Sequence, residues 1–424
     1  MLQVANLREG KAEAVKGLVK RNIENAEALI DGVIALDDKR KALQTELDAV
    51  LAESNKISKS IGILMKEGKK EEAEQVKVKT AELKQKSKML QEESQAIEKE
   101  LTDSLYQIPN IPHADVKKGK GEDDNEIISE HGKKPELHPG NKPHWDLIKD
   151  YDIIDFDLGI KITGAGFPVY KGKGARMQRA LLNFFLDEAG KQGFKEIQPP
   201  IVVNEASGIG TGQLPDKEGQ MYHIEDTDLY MIPTAEVPIT NLFRDEIINE
   251  EDLPIKLTAY TPCFRKEAGS WGAHVRGLNR LHQFDKVEIV QVQHPDKSYQ
   301  ALEEMSTYIQ SLLNKLELPY RVLRLCGGDL GFTSALTYDM EVWSAAQEKW
   351  LEVSSVSNFE TYQANRLKLR YKDADKKKLL LHTLNGSALA FPRILAAILE
   401  NNQTEKGIKV PKVLQSYTGF EWID

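Results

Sequence analysis

Two runs of heptad repeat, on either side of a five-residue break, constrain the fold of this chain more than any other feature. In the first, Leu36, Arg40, Leu43, Leu47, Val50, Ser54, Ile57 and Ile61 fall at alternating steps of four and three, and six of the eight are apolar. In the second, Val76, Thr80, Leu83, Ser87, Leu90, Ser94, Ile97 and Leu101 keep the same rhythm. Neither run contains proline, and the break, Lys66 to Lys70, reads KEGKK, with a glycine among charges. Two long helices joined by so short a turn run antiparallel. The first is expected over residues 28–65, and at about 1.5 Å per residue each would be on the order of 50 Å long.

Lys39, Arg40, Lys41, Lys56, Lys59, Lys69, Lys70, Lys77, Lys79, Lys84, Lys86 and Lys88 give this hairpin a basic outer face, with acids expected elsewhere. Such a face is either simply solvated or a lever that holds a nucleic-acid backbone. Ahead of it, residues 1 to about 25 hold an amphipathic piece, with Val15, Leu18 and Val19 near helical spacing, that caps the hairpin.

At 424 residues the chain is longer than one core usually organises, so two domains are expected. The heptads stop near Ile108, at PNIPHADV, and a polar stretch punctuated by Gly and Pro follows through Pro143. That divides the chain into an arm domain over 1–106, a linker over 107–143 and a larger domain over 144–424. No apolar run approaches the roughly 18 to 20 residues that span a bilayer, and MLQVANLREGK lacks the basic-then-apolar plan of a signal peptide. A cytoplasmic location is expected. Cys263 and Cys326 stand far apart, outside any CxxC or Cys/His cluster, and are expected to be reduced and buried, with no zinc site. The formal net charge of -9 excludes indiscriminate polyanion binding, so any nucleic-acid contact comes from local basic patches.

In the larger domain the pattern reads as a strand around Phe167 to Tyr170, a helix over about 174–191 and a strand from Lys195 to Val202. Leu181, Leu182, Phe184, Phe185 and Ala189 make that helix broadly apolar, either as core or as a subunit interface. Strands and helices then alternate without a regular βαβ rhythm, which favours a mainly antiparallel sheet flanked by helices. Between Thr261 and Val290, two β-favouring ends enclose Gly269, Gly272 and Gly277 among Arg265, Lys266, His274, Arg276 and Arg280. That is a long hairpin with a cationic loop. Its strands can hold Arg265, Glu267 and Glu288, and its glycines let the loop close over a polyanion.

Three of these blocks resemble the motifs of the class II aminoacyl-tRNA synthetases. Residues 174–204, a helix followed by a strand with Pro200 at its end, resemble motif 1. Phe264-Arg265-Lys266-Glu267 stands where motif 2 has FRxE, and LNGSALAFPRILAAILE, from Leu384 to Glu400, resembles motif 3 with Arg393. The N-terminal hairpin, the loop Thr211-Gly212-Gln213-Leu214-Pro215, the tripeptide Thr234-Ala235-Glu236 and the run Glu352-Val353-Ser354-Ser355 are similar to the seryl-tRNA synthetase family of the bacterial and eukaryotic type. The resemblance covers essentially the whole chain. A threonyl- or prolyl-type ligase, an armless homologue that charges a carrier protein, and a non-catalytic paralogue are the alternatives. The arm and the lack of a Cys/His pocket count against the first two, and the intact charges against the third.

The resemblance implies an α+β fold, a coiled-coil arm that binds tRNA(Ser) and also serves tRNA(Sec), and a homodimer formed through the motif 1 helix. It implies activation of L-serine with ATP and Mg2+. Arg265 and Arg393 would be catalytic, and Arg265, Glu267, Leu281, Phe284, Glu352, Val353, Ser354, Ser355 and Arg393 would bind ATP. Thr234, Ala235, Glu236, Arg265, Glu288, Asn385 and Ser387 would bind serine, and Glu352 with Ser355 would hold the metal. Glu352 has the alternative of pairing with an arginine. The Thr211–Pro215 loop and the Gly269–Gly277 loop are candidate lids, the second bringing His274 and Arg276 to the tRNA acceptor end.

Overall fold

The computed structural model describes residues 1–217, 219–267 and 276–424. They form two compact units, Met1–Val19 with Ile23–Pro109, and Lys20–Asn22 with Asn110–Asp424.

In the first unit, helices α1 (Ala26–Lys66) and α2 (Lys70–Gln107) make the antiparallel hairpin, turning at Gly68, whose φ of 77° suits a residue without Cβ. The heptad positions Leu43, Leu47, Val50, Leu90 and Ile97 pack into the seam. Of its polar members, the small Ser54, Thr80 and Ser94 are buried too, and the Thr80 hydroxyl donates back to the Val76 carbonyl at 2.7 Å. The lysines do not form a face free of acids. Lys39, Lys79 and Lys86 reach Glu93, Glu53 and Glu46 on the opposite helix at 3.6, 2.9 and 2.8 Å. Exposed pairs of this kind set register more than stability. Nearer the base, burial acts to raise the Asp37 carboxyl, but Lys41, Arg40 and Arg8 bring it down to about 2.

Among the described residues of the second unit, eight strands form the main sheet: β1 (Glu126–His131), β2 (Lys195–Glu196), β3 (Ile255–Phe264), β4 (Gln283–Gln293), β5 (Tyr320–Arg324), β6 (Leu336–Ser344), β7 (Lys349–Asn358) and β8 (His382–Ala390). They lie in the order β1-β5-β6-β7-β8-β4-β3-β2, antiparallel except for β2 beside β3. The flanking helices include α3 (His144–Asp150), α4 (Gly172–Lys191), α5 (Ser298–Lys315) and α6 (Phe391–Asn401). This is the α+β arrangement expected from the sequence, a helical hairpin followed by a mainly antiparallel sheet with helices. Side chains of α4, α5 and α6, among them Phe184, Phe185, Ile309 and Leu395, pack on one face of the sheet against Val287, Ile289, Met340 and Val356. Alternate residues of the same strands, Glu288 and Asp339, point to the opposite face.

Three local expectations change. The stretch expected as a linker contains β1, which pairs with β5 from Glu126↔Arg324 to His131↔Tyr320 and so belongs to the sheet. Its polar composition, EIISEH, hid it: Ile127 and Ile128 are exposed, and backbone bonds with the Glu126–Arg324 ion pair hold the edge. The strand expected over Lys195 to Val202 is two, β2 and Val202–Asn204, because Pro199 and Pro200 offer no N–H to a ladder. The short strand before α4 is only Val169–Tyr170. Leu181, Phe184, Phe185 and Ala189 are fully buried in the chain's own core and Leu182 is half-buried, so the breadth of that apolar face is a core requirement.

Candidate active site

The hairpin β3–β4 pairs Leu257 with Val290 and closes with Phe264 opposite Gln283. β3 ends at Phe264, so Arg265 and Glu267 do not share a strand as the alternation suggested. The Arg265 amide still donates to His282, but the Lys266 and Glu267 amides turn away to the main chain and side chain of Gln220, at 2.9 and 3.2 Å. Glu267 takes a φ of 49° there. His274, with the rest of 268–275, lies outside the described residues. Arg276 is described, and its guanidinium stands 4.9 Å from the Trp145 ring and 3.9 Å from the Asp146 carboxylate.

Beyond the end of the hairpin is a cleft lined by Arg265, Glu267, Leu281, Phe284, Glu352, Val353, Ser354 and Arg393. Arg265 lies over the Phe284 ring at 5.3 Å and its Nε reaches the Pro233 carbonyl at 3.4 Å. Glu267 pairs with Arg280. α6 opens with Pro392 in its first turn, which places Arg393 at the helix start. Arg393 Nε donates to the Asn279 carbonyl at 2.9 Å and Nη1 to the Glu352 carbonyl at 2.8 Å, with the Glu352 carboxylate 3.7 Å away. The arginine pairing weighed for Glu352 is therefore present.

Ser355 is not part of the cleft lining. The pairing of β6 with β7 slips so that Glu341 faces Glu352 while Met340 faces Ser354, leaving Val353 as the extra residue of a bulge. The bulge puts Glu352 and Ser355, three apart, on the same sheet face as Asp339, which lies opposite Ser355. Asp339 takes a hydrogen bond from the Ser355 side chain, and its Oδ1 is buried with no partner. Burial, reinforced by the Glu352 charge, pushes the Asp339 carboxyl well above the ordinary range.

The predicted serine-side residues gather around two buried carboxylates. Thr234 Oγ1 donates to Glu288 at 3.1 Å and accepts from the Lys286 ammonium at 2.9 Å and from the Glu236 amide at 3.2 Å. Lys286 also pairs with Glu288 at 2.5 Å, and the Asn385 amide donates to Glu288 at 3.2 Å. Burial raises the Glu288 carboxyl and the Lys286 charge opposes it. Ala235 is buried just ahead of the short helix Glu236–Asn241. Glu236 accepts from the Gln363 amide at 2.7 Å; Gln363 also donates to the Thr211 carbonyl and accepts from the Thr383 hydroxyl. Burial first, then Glu288, pushes Glu236 up to about 7. Ser387 sits opposite Glu288 in the β8–β4 register, and its carbonyl accepts the Ser354 hydroxyl at 2.6 Å, joining the two halves of the site.

Lys286, Gln363 and Asp339 escaped the sequence reading. For Lys286 and Asp339 a signal existed, since each stands two residues from a glutamate on one strand, Glu288 and Glu341, and hence on the same face. Gln363 is on the short helix Thr361–Leu367, remote in sequence from Glu236 and Thr211. The Thr211–Pro215 loop, a candidate lid, is packed here: Gly212 has a φ of 91°, an added Cβ would meet Thr333 at 2.4 Å, and Leu214 is buried.

Residues 222–402 match the family description "tRNA synthetase class II core domain (G, H, P, S and T)", and residues 1–112 match "Seryl-tRNA synthetase N-terminal domain". That match, over the mainly antiparallel sheet, defines a class II aminoacyl-tRNA synthetase, an ATP-dependent ligase. A serine–tRNA ligase of Salinibacter ruber is 50% identical over 99% of this chain and 98% of its own. The crystal structure of seryl-tRNA synthetase from Pyrococcus horikoshii complexed with ATP superposes with a TM-score of 0.92 at 35% identity, covering 100% of this chain and 99% of that one. Cytoplasmic serine–tRNA ligase of Naegleria fowleri, in complex with AMP, gives 0.87 at 29% identity and the same coverage. The chain belongs to the seryl-tRNA synthetase family. No helix among the described residues is long and apolar enough to cross a membrane.

Proposed function

We propose that this protein activates L-serine with ATP and passes the seryl group to tRNA(Ser), with tRNA(Sec) as a second acceptor reached through the same arm. The observation that carries the reading is the junction of two environments. The cleft with Arg265, Arg393 and Phe284 is also lined by Lys286 and Ser387, and Lys286 pairs with buried Glu288, whose charge acts on buried Glu236. In the first step a serine carboxylate oxygen bonds to the α-phosphorus of ATP and the bond to the bridging oxygen breaks, releasing pyrophosphate. In the second, a hydroxyl at the tRNA 3′ end takes the acyl group and AMP leaves. The central test is serine-dependent exchange of pyrophosphate into ATP.

Arg265 stands where the two environments meet, so its planar fork can hold the serine carboxylate and the α-phosphate together and stabilise the charge that develops between them. Phe284 offers a face for adenine and Glu267 an acceptor for its amino group. Arg393 takes the outer phosphates. Glu288 and Glu236 suit the ammonium and hydroxyl of serine, with Thr234, Ala235, Asn385 and Ser387 as the wall. A site built to bond a hydroxyl rejects alanine because its buried partners are left unpaired.

Mg2+ fits the oxygen donors on the β6–β7 face: Glu352, Ser355 and the unpartnered buried oxygen of Asp339. Bound there, it would neutralise phosphate charge. The basic arm supports tRNA contact through the nucleic-acid backbone and shape. Dimerisation is part of this reading. The inward face of α4 is core, so a partner at this motif 1 helix would meet its outward residues, among them Arg179, Asn183 and Asp187. A cytoplasmic location is proposed from family membership.

The raised Glu236 carboxyl makes serine binding depend on pH. Raised to about 7, this carboxyl is protonated below that pH, whereas the ammonium of serine calls for an ionised acceptor. Binding below that pH therefore releases a proton, and Kd should weaken as pH falls, by up to roughly tenfold per unit. Calorimetric titration from pH 5 to 8 reads the slope, which Glu236→Gln should flatten. A wild-type Kd independent of pH would contradict it.

A further inference from the structure

On the nucleotide side, a buried hydrogen-bond cluster touches none of the substrate positions assigned above but holds the backbone that does. His144, fully buried at the start of α3, accepts the Leu278 amide on Nε2 at 2.9 Å and bonds Glu400 through Nδ1 at 2.7 Å. Because a backbone amide donates to Nε2, that nitrogen is the acceptor and the ring proton sits on Nδ1, directed at the carboxylate. Glu400 is fully buried near the end of α6, and takes further bonds from the His144 amide, the Ser344 hydroxyl and the Gln347 amide. Burial works to raise its carboxyl, but these donors, His144 first, hold it below the ordinary range, so it stays an acceptor.

The cluster continues toward the substrate. Gln347 accepts from the buried Asn279 side chain at 2.9 Å, and the Asn279 carbonyl is what Arg393 Nε donates to. Leu278, Asn279, Arg280 and Leu281 all line the cleft. A glycine is required where backbone meets ring: Gly277 has a φ of 67°, and a Cβ on it would lie 2.4 Å from His144 Nε2. The two ends of α6 are thereby tied to one segment, Arg393 at its start through Asn279 and Glu400 near its end through His144.

We infer that His144, backed by Glu400 and Gln347, is a positioning residue for the nucleotide half of the reaction, fixing the returning end of the motif 2 loop and, through Asn279, the Arg393 guanidinium. This rests on the ATP-binding reading of the cleft. It also separates the two substrates, because no bond of the cluster runs to Thr234, Glu236, Glu288 or Asn385.

The test is steady-state ATP–pyrophosphate exchange with each substrate varied in turn, on wild type, His144→Ala, His144→Gln and Gln347→Ala. His144→Ala should raise KM for ATP by roughly tenfold or more while KM for serine stays within about twofold. His144→Gln, whose amide oxygen can replace Nε2 as acceptor for Leu278, should recover part of that loss. Gln347→Ala, which cuts the link to Asn279 and one of the donors to Glu400 but leaves His144 on Leu278, should give a smaller rise, on the order of threefold, confined to ATP. A merely structural role would lower melting temperature and shift both constants together, and that result would overturn the inference. So would an unchanged KM for ATP in a folded His144→Ala protein. If His144→Ala does not fold, Gln347→Ala decides: an unchanged KM for ATP refutes the role. Failure of the underlying reading would show separately, as wild-type protein without serine-dependent exchange.

Discussion

Arg265→Ala should lower serine-dependent pyrophosphate exchange by about 10³-fold or more, the scale on which removal of a single preorganised charge at a reacting centre acts. The side chain has no ready substitute. Lys286 is bonded to Glu288 and Thr234, Arg280 pairs with Glu267, and Arg393 is held by Asn279 and Glu352. Moving any of them to the α-phosphate would break contacts that support the site. Arg265→Lys should restore little, because an ammonium cannot bridge two oxyanions with a planar fork, nor keep the same contact with Phe284. Since Phe284 and Glu267 remain, nucleotide binding should survive better than chemistry, with kcat falling more than KM for ATP rises. Near-normal exchange by Arg265→Ala would remove it from this role.

Replacing Lys39 through Glu98 by a short turn should leave exchange within about twofold of wild type and lower tRNA charging by about 10²-fold or more, since backbone contacts supply much of nucleic-acid affinity. Every residue named in the site belongs to the second compact unit, so the deletion removes none of them. What it removes is the packed seam of Leu43, Leu47, Val50, Leu90 and Ile97, along with the basic side chains. Several of those lysines already pair with glutamates across the hairpin, so those without such partners, Lys56, Lys59 and Lys84 among them, are the better single-site choices. Aminoacylation of a tRNA(Ser) transcript, run beside exchange on one preparation, separates the two activities. Equal loss of both would make the arm a structural element.

The heptads were readable because a repeat of seven leaves a periodic trace, and the first long helix, Ala26–Lys66, starts and stops within two residues of the expected 28–65. Motif blocks placed Arg265, Arg393, Glu288 and Glu352 because each is local in sequence. What stayed hidden depends on pairing across the sheet. Strand β1 has exposed isoleucines and reads as loop; the bulge at Val353, which turns Ser355 toward Asp339, exists only in the register of β7 against β6. Gln363 and His144 act on residues over a hundred positions away, as the bonds to Glu236 and Leu278 show, and no local pattern announces such a partner. Arg265 and Glu267 looked like strand neighbours two apart, until Gln220 drew the backbone aside.

The most direct test of the central claim is ATP–pyrophosphate exchange by the purified full-length protein, measured with each of the twenty amino acids in turn. Serine should drive strong exchange and alanine none above background, because the missing hydroxyl would leave Glu236 or Glu288 without its partner. Threonine should be rejected for its extra methyl. Exchange driven by threonine, glycine or proline in place of serine, or no exchange with any amino acid, would contradict that claim.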